Sequence, residues 1–258
     1  MFASFLFTHA VRQNARFNRL LPWILAGFFM AGIAALLASL GGNMTPDDRY
    51  TNVTLMMVYR AVALAAAVFS ATIVSQEVEQ KTIVYLLTRP TSRATIIFSR
   101  YVGGVVVVAL LGMFMQFCTG LGAYGPNVLS QGVFYRDLLA IAIGSAAYMA
   151  VFLLISLLVN RAMLFCILYT FGYETATGNL PGESYYASIM AHMQGISQHA
   201  MTSGSSNRTV SILTGQSSSN LLTGKVSIPV LLIVSVVAIG LCMAWFTHFE
   251  YMPREDAE

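Results

Sequence analysis

Long apolar stretches separated by short polar segments make up most of this chain. A helix needs about 20 apolar residues to cross roughly 30 Å of hydrocarbon, and six stretches approach or exceed that length. They cover residues 21–40, 53–74, 95–124, 138–159, 162–173 and 226–247. The pattern therefore predicts an all-α integral membrane protein with six transmembrane helices, forming a single domain over residues 1–258.

The fifth stretch, 162–173, is too short to span a bilayer by itself. It fits only if it continues through Glu174 to Thr177, or if it breaks and re-enters, and the pattern leaves both possibilities open. Small residues such as Gly27, Gly104 and Gly144 lie within other stretches, where they let helices approach closely in lipid. We therefore expect a packed bundle.

Two further segments have helical periodicity. Apolar residues and arginines fall on separate faces of residues 1–20, which predicts an amphipathic interfacial helix, although an ordinary juxtamembrane helix also fits. Between the fifth and sixth spans lies the segment 174–225. Its residues 183–201 predict a short outer helix that rests on the leaflet or re-enters it, and residues 202–224 predict a polar, flexible loop.

The composition agrees with a membrane location. Hydrophobic residues make up 57% of the chain and charged residues 10%, whereas about a quarter of a soluble domain is charged. The net charge of +3 does not gather into a basic patch, so we expect membrane lipid rather than nucleic acid as a partner. All three cysteines lie within predicted spans and are interpreted as apolar packing residues.

The distribution of Lys and Arg predicts the orientation, because cytoplasmic flanks carry the excess. With the amino terminus inside, nine basic residues are cytoplasmic: Arg12, Arg16, Arg19, Lys81, Arg89, Arg93, Arg100, Arg161 and Arg254. Four are outside: Arg49, Arg136, Arg208 and Lys225. We therefore predict that both termini and the segment 75–93 face the cytoplasm, and that 174–225 faces out.

Arg60 lies inside the second predicted span, about two turns from its outer end. A charge there is costly, so we interpret Arg60 as part of a translocation pathway or gate, as an outer-leaflet anchor, or as a partner of Glu174. Polar side chains in other spans could line the same path or act as interface anchors and packing residues. These are Tyr59, Gln116, Tyr148, Tyr169 and Tyr173.

The chain lacks the motifs of several enzyme classes. No Gly-rich run has the spacing that cradles a nucleotide phosphate, so we do not expect this chain to hydrolyse ATP. His192 and His199 share a helical face downstream of Glu174 and Glu183, but no acid lies between them as in zinc motifs. We expect these histidines to face solvent or headgroups, and we predict neither catalytic residues nor a metal site.

The densest charge cluster between spans is residues 75–93. The second helix can continue to about Glu79, Thr82 can cap a short helix, and Pro90 would end it. Such a helix fits a groove in another protein, or it lies on the inner leaflet with arginines at lipid phosphates. The positions concerned are Glu77, Glu79, Lys81, Thr82, Ile83, Leu86, Leu87, Arg89, Pro90 and Arg93.

This segment resembles the coupling helix in the permease subunits of type-2 ABC transporters. The shared pattern is an acid pair, a threonine, an apolar block and Pro-x-Ser-Arg, and the outline of the whole chain is also similar. The resemblance implies polar positioning contacts by Glu77 and Glu79. It also implies that Ile83, Leu86 and Leu87 form the apolar surface on which the coupling helix rests, called here its apolar footing. Arg89 and Arg93 are implied to contact the ATPase or lipid.

The resemblance further implies a permease subunit of an ATP-driven exporter in the inner membrane. Two copies, or one copy and a homologous permease, would pair with two ATPase subunits that bind ATP and Mg, while this chain binds no cofactor. The pathway would lie between the permeases, and an accessory protein could bind the outer segment. The alternatives are an ATP-independent transporter or scaffold, and an intramembrane metalloenzyme using Glu174, His192 and His199.

Overall fold

The computed structural model describes Val11, Asn14 and residues 17–40, 44–79, 93–159, 161–177, 186–199 and 224–248. All the regular secondary structure in these ranges is helical. The α-helices are α1 (Phe17–Leu40), α2 (Pro46–Val53), α3 (Tyr59–Glu79), α4 (Arg93–Tyr124), α5 (Gly132–Leu158), α6 (Ala162–Leu168), α7 (Glu174–Thr177), α8 (Ile189–Ser197) and α9 (Gly224–His248). A π-helical turn, Thr54–Val58, joins α2 to α3, and another, Tyr169–Tyr173, joins α6 to α7. A 3-10 turn, Gly125–Ser130, follows α4.

Five helical segments in the described part of the chain are long and apolar enough to cross a membrane: Phe17–Leu40, Pro46–Ile73, Ala94–Ser130, Gly132–Leu158 and Gly224–Thr247. The described part of the chain is therefore all-helical, and the chain is a multi-pass membrane protein, as predicted. The fifth predicted stretch, 162–173, is not among these five; it is helical and continues to Thr177. At 1.5 Å per residue it reaches about 24 Å, which is short of the roughly 30 Å of a hydrocarbon core.

The second spanning segment begins earlier than the hydropathy pattern predicts. Pro46 occupies the first turn of α2, and the Thr45 side chain accepts a hydrogen bond from the Asp48 N–H while Asp48 Oδ2 accepts one from the Thr45 N–H. This capping box fixes the start of a helix whose first turn is polar, so hydropathy alone misses it. As a result, Arg60 lies at the middle of Pro46–Ile73 rather than two turns from its end.

Helix α5 forms the centre of the bundle and packs against α3, α4, α8 and α9. Its Gly144 permits a close approach of α8, because a Cβ atom at that position would lie 2.3 Å from Met193 Sδ. Helix α1 packs along α4, where a Cβ on Gly122 would lie 2.4 Å from the Ala31 carbonyl oxygen. These contacts confirm that small residues allow the helices to pack closely.

Helix α8 is buried along its whole length, including His192 and Gln194. A helix resting on the membrane surface would leave one face exposed, so that version of the prediction is wrong. The short helix instead lies inside the bundle and runs antiparallel to α5. Its first turn is tied through Glu174 to Tyr148, near the middle of α5, and its last turn lies near the start of α5.

The helical segment from α6 to α7 therefore ends near the level at which α8 begins. The α6–α7 segment reaches the middle of the bundle from one end, and α8 continues from there toward the opposite end. Of the two possibilities left open for the 162–173 stretch, the structure shows the helical run continuing through Glu174 to Thr177. Glu174, near the end of this run, contacts both α5 and α8.

Candidate functional site

A fully buried carboxylate, Asp137, lies in the second turn of α5. Its Oδ1 accepts a hydrogen bond from the Tyr59 hydroxyl at 2.7 Å and lies 2.9 Å from His199 Nε2. Its Oδ2 accepts from the Tyr50 hydroxyl at 2.7 Å and from Gln116 Nε2 at 3.2 Å. We refer to these five residues as the Asp137 cluster.

The π-helical turn Thr54–Val58 brings Tyr50 and Tyr59 to the same carboxylate. Nine residues of regular α-helix would rotate the second tyrosine roughly 180° from the first, because each residue turns the helix by about 100°. A π-helical turn adds less rotation per residue and moves the two side chains toward one face. The turn therefore allows one continuous helix to supply two donors to Asp137.

Further hydrogen bonds complete the cluster. Gln116 Nε2 also contacts the Tyr50 hydroxyl and lies 3.0 Å from Thr54 Oγ1. Because a carboxylate can only accept, His199 Nε2 carries the hydrogen in its contact with Asp137, and His199 Nδ1 lies 3.2 Å from Thr51 Oγ1. A buried carboxylate is tolerated only when hydrogen bonds satisfy its oxygens, and both oxygens of Asp137 have two partners each.

A second buried carboxylate, Glu174, lies at the junction of α6–α7 with α8. It accepts hydrogen bonds from the Tyr148 hydroxyl at 2.9 Å and from the Met190 N–H at 3.1 Å. Met190 is in the first turn of α8, whose unpaired N–H groups favour a negative charge. Arg60 interacts electrostatically with Glu174, and its guanidinium carbon lies 6.0 Å from the centroid of the Phe171 ring.

Aromatic rings connect these residues along one side of the α6–α7 segment. Tyr148 contacts Phe152 with centroids 5.5 Å apart, and Phe152 contacts Tyr169 at 5.7 Å. Tyr169 stacks on Tyr173 at 5.3 Å. The structure therefore brings Arg60, Tyr169, Tyr173 and Glu174 together, whereas Tyr59 belongs to the Asp137 cluster.

The two histidines are not exposed as the sequence predicts. His192 and His199 are both 3% exposed, and they have different partners. His192 Nε2 lies 2.8 Å from the Tyr186 carbonyl oxygen. Among the residues that the structure describes, no group of three His, Cys, Asp or Glu side chains is placed to hold a metal ion.

The predicted coupling segment is described only at its two ends. Helix α3 continues to Glu79, as predicted, and includes Glu77, while α4 begins at Arg93. The other predicted contact residues lie outside the described part of the chain: Thr82, Ile83, Leu86, Leu87, Arg89 and Pro90. Most of the interfacial helix predicted over 1–20 lies outside it as well, and Phe17 begins α1.

Sequence reasoning missed Asp137, Tyr50 and Thr51. Asp137 directly precedes the predicted span 138–159 and so falls in its polar flank, although the helix begins at Gly132. The only available signal was an acidic residue beside the outer Arg136. Hydropathy treats such a residue as an ordinary membrane boundary.

A comparison with protein families decides the class of this chain. The family model described as ABC-2 family transporter protein matches residues 16–177, which is more than half of the 258 residues. The chain belongs to the ABC-2 family of transporter proteins. None of the curated proteins compared with this ABC-2 chain matches it significantly.

Membership confirms the family that the sequence resembles. The ABC-2 chain is the membrane component, or permease, of a transporter, and permeases of this family associate with ATPase subunits. The family typically lacks catalytic activity of its own and generally binds no cofactor. The matched region includes α1 to α7 and therefore both carboxylates, Asp137 and Glu174.

Proposed function

We propose that this ABC-2 permease is the membrane subunit of an ATP-driven exporter in the cytoplasmic membrane. Two copies, or one copy with a homologous permease, pair with two ATPase subunits that carry ATP and Mg. The observation that supports this most directly is the family match, which covers the α3–α4 connection together with both flanking helices. Residues 80–92 of that connection contain the apolar block, which we expect to bind in a groove of the ATPase subunit.

We place both termini and the α3–α4 connection in the cytoplasm. The Asp137 end of the bundle then faces out, because α2 begins and α4 ends there. Six crossings result if the α6–α7 segment and α8 together make one broken crossing. The positive-inside distribution of Lys and Arg supports this orientation.

We propose that the face around Arg60 lines the pathway between the permeases. An arginine at the middle of a span costs roughly 2.5 to 3.5 kcal/mol on insertion scales, so such residues usually face a bundle interior or a water-filled cavity. Glu174 offsets part of that cost. Phe171, beside Arg60, is 46% exposed, as a residue on an interface between subunits would be in the isolated chain.

Co-purification of a paired variant tests this function. Leu86→Glu with Leu87→Glu, introduced into the tagged full chain, should abolish recovery of the ATPase subunit, because the change puts charge into the apolar footing. The control is Leu129→Glu, at an exposed position in the 3-10 turn after α4, at the opposite end of the bundle. This variant should recover as much ATPase as the unmodified chain.

Recovery of the ATPase by the paired variant would place the contact elsewhere. If the unmodified chain recovers no ATPase under the same conditions, the exporter assignment itself is wrong. Retention of the paired variant in the membrane fraction, at the level of the control, shows that the bundle has folded.

A further inference from the structure

Buried carboxylates anchor α8 at both of its ends. At the first turn, Glu174 accepts the hydrogen bond of the Met190 N–H. Beyond the last turn, Gln198 ends the helix in the left-handed conformation with a φ of 48°, and His199 then contacts Asp137. Between these anchors, Met193 packs against the bare backbone of Gly144. The position of α8 is therefore defined by two polar contacts and one close packing contact.

The anchor at His199 also involves the helical segment that leads to the α3–α4 connection. Tyr50 and Tyr59 donate to Asp137, and Thr51 contacts the other ring nitrogen of His199. All three belong to the continuous helical segment from Pro46 to Glu79, which is about 50 Å long at 1.5 Å per residue. One end of this segment holds His199, and its other end enters the segment expected to contact the ATPase.

We propose that Asp137 is a positioning residue which, through His199, keeps α8 attached to the α2–α3 segment. Movement imposed on the cytoplasmic end of α3 is then transmitted to α8 at the opposite half of the bundle. This inference rests on the proposed function, because it needs an ATPase that moves α3. It goes beyond that function by naming the contact that carries the movement and the helix that receives it.

The geometry favours this contact over the other anchor. Glu174 joins α8 to α5 and to the α6–α7 segment by way of Tyr148 and the backbone of Met190. The Asp137 cluster instead joins α8 to α2, α3, α4 and α5 through side chains only. The hydrogen bonds of the Asp137 cluster join side chains of separate helices, so they can reform when those helices shift together. At the Glu174 anchor, α8 is packed against α5 and the α6–α7 segment, and such a packed surface resists sliding.

Two substitutions at position 199 distinguish the effect of the hydrogen bond to Asp137 from the effect of merely having a polar side chain at that position. In His199→Gln the amide nitrogen can occupy the place of Nε2 and still donate to Asp137. In His199→Asn the shorter amide can reach only the place of Nδ1, beside Thr51, and leaves Asp137 without this donor. The pair changes one contact while keeping a polar side chain.

Cysteines at Gly144 and Met193 report the position of α8. We would introduce Gly144→Cys and Met193→Cys into the full chain, replace the three native cysteines by alanine, and purify the chain with its ATPase. Oxidative cross-linking is then compared without nucleotide and after trapping with ATP and vanadate. We expect the cross-link to form without nucleotide and its yield to fall on trapping. We also expect His199→Gln to keep this response and His199→Asn to lose it.

Equal responses in the Gln and Asn variants, whether both are kept or both are lost, would overturn the proposed role of the hydrogen bond to Asp137. A parent complex that contains the ATPase but shows no response would also overturn the proposal, while leaving the exporter assignment intact. Absence of the ATPase from the purified parent would instead refute the exporter assignment, and the inference would fall with it.

Discussion

The Asp137 carboxylate is contacted by four side chains from three separate parts of the chain. Each contact offsets part of the cost of burying a charge, and removal of one partner leaves the others in place. Hydrogen bonds to charged groups contribute about 1.5 to 3 kcal/mol each, although those within membrane bundles average less. The cluster therefore contributes to stability through the number of its contacts.

Tyr59→Phe tests this account at a single hydroxyl. The substitution keeps the ring, which is 1% exposed, and removes one hydrogen bond to Asp137. We expect it to lower the free energy of unfolding by about 1 to 3 kcal/mol, measured by denaturant titration in detergent. Tyr135→Phe is the matched control, because the Tyr135 hydroxyl donates to the Leu129 carbonyl oxygen at an exposed position. Equal stabilities for the two variants would contradict the account.

At the scale of the helix, hydropathy predicts the centres of the spans, because bilayer thickness imposes the same length requirement on each. It fails at α2, whose polar first turn is held by a capping box. It also fails at α8, where His192 and Gln194 resemble the polar face of a surface helix. Both side chains are buried within the bundle, and periodicity cannot distinguish an internal polar contact from solvent.

The candidate site was predictable only in part, because its contacting residues are far apart in the sequence. Asp137 is separated by 87 residues from Tyr50, by 78 from Tyr59 and by 62 from His199. No local pattern relates residues so far apart, since only the packing of α2, α3, α4, α5 and α8 brings them together. Partnership with Glu174 was one of three interpretations that the sequence left open for Arg60, because a charge inside a predicted span calls for an opposite charge, an anchor or a water-filled path.

The packing of α8 on α5 can be tested at Gly144. In Gly144→Ala the new Cβ would overlap Met193 Sδ, so α8 must shift, and we expect a loss of about 1 to 3 kcal/mol in unfolding free energy. Adding Met193→Ala should recover part of that loss, because it frees the space. Gly240→Ala is the control, since nothing lies within 4 Å of its Cβ. Similar losses at Gly144 and Gly240 would show that the glycine contact is unimportant.

At the scale of the whole molecule, the proposed pathway predicts where water reaches the bundle. A cysteine in place of Phe171, beside Arg60, should react with a charged, membrane-impermeant thiol reagent in intact complexes, because thiolates form only where water is present. A cysteine in place of Val236, which is 67% exposed on α9, should stay unreactive because we expect that face of a spanning helix to contact lipid. Equal labelling of the two positions would remove the support for a pathway at Arg60.

The central claim is that this ABC-2 chain works as a permease coupled to separate ATPase subunits. Native mass spectrometry of the complex, isolated in mild detergent through a tag on this chain, tests it most directly. The account predicts an assembly of two permease subunits and two nucleotide-binding ATPase subunits. A chain that is recovered alone in several detergents, with its helical content intact, would contradict the account.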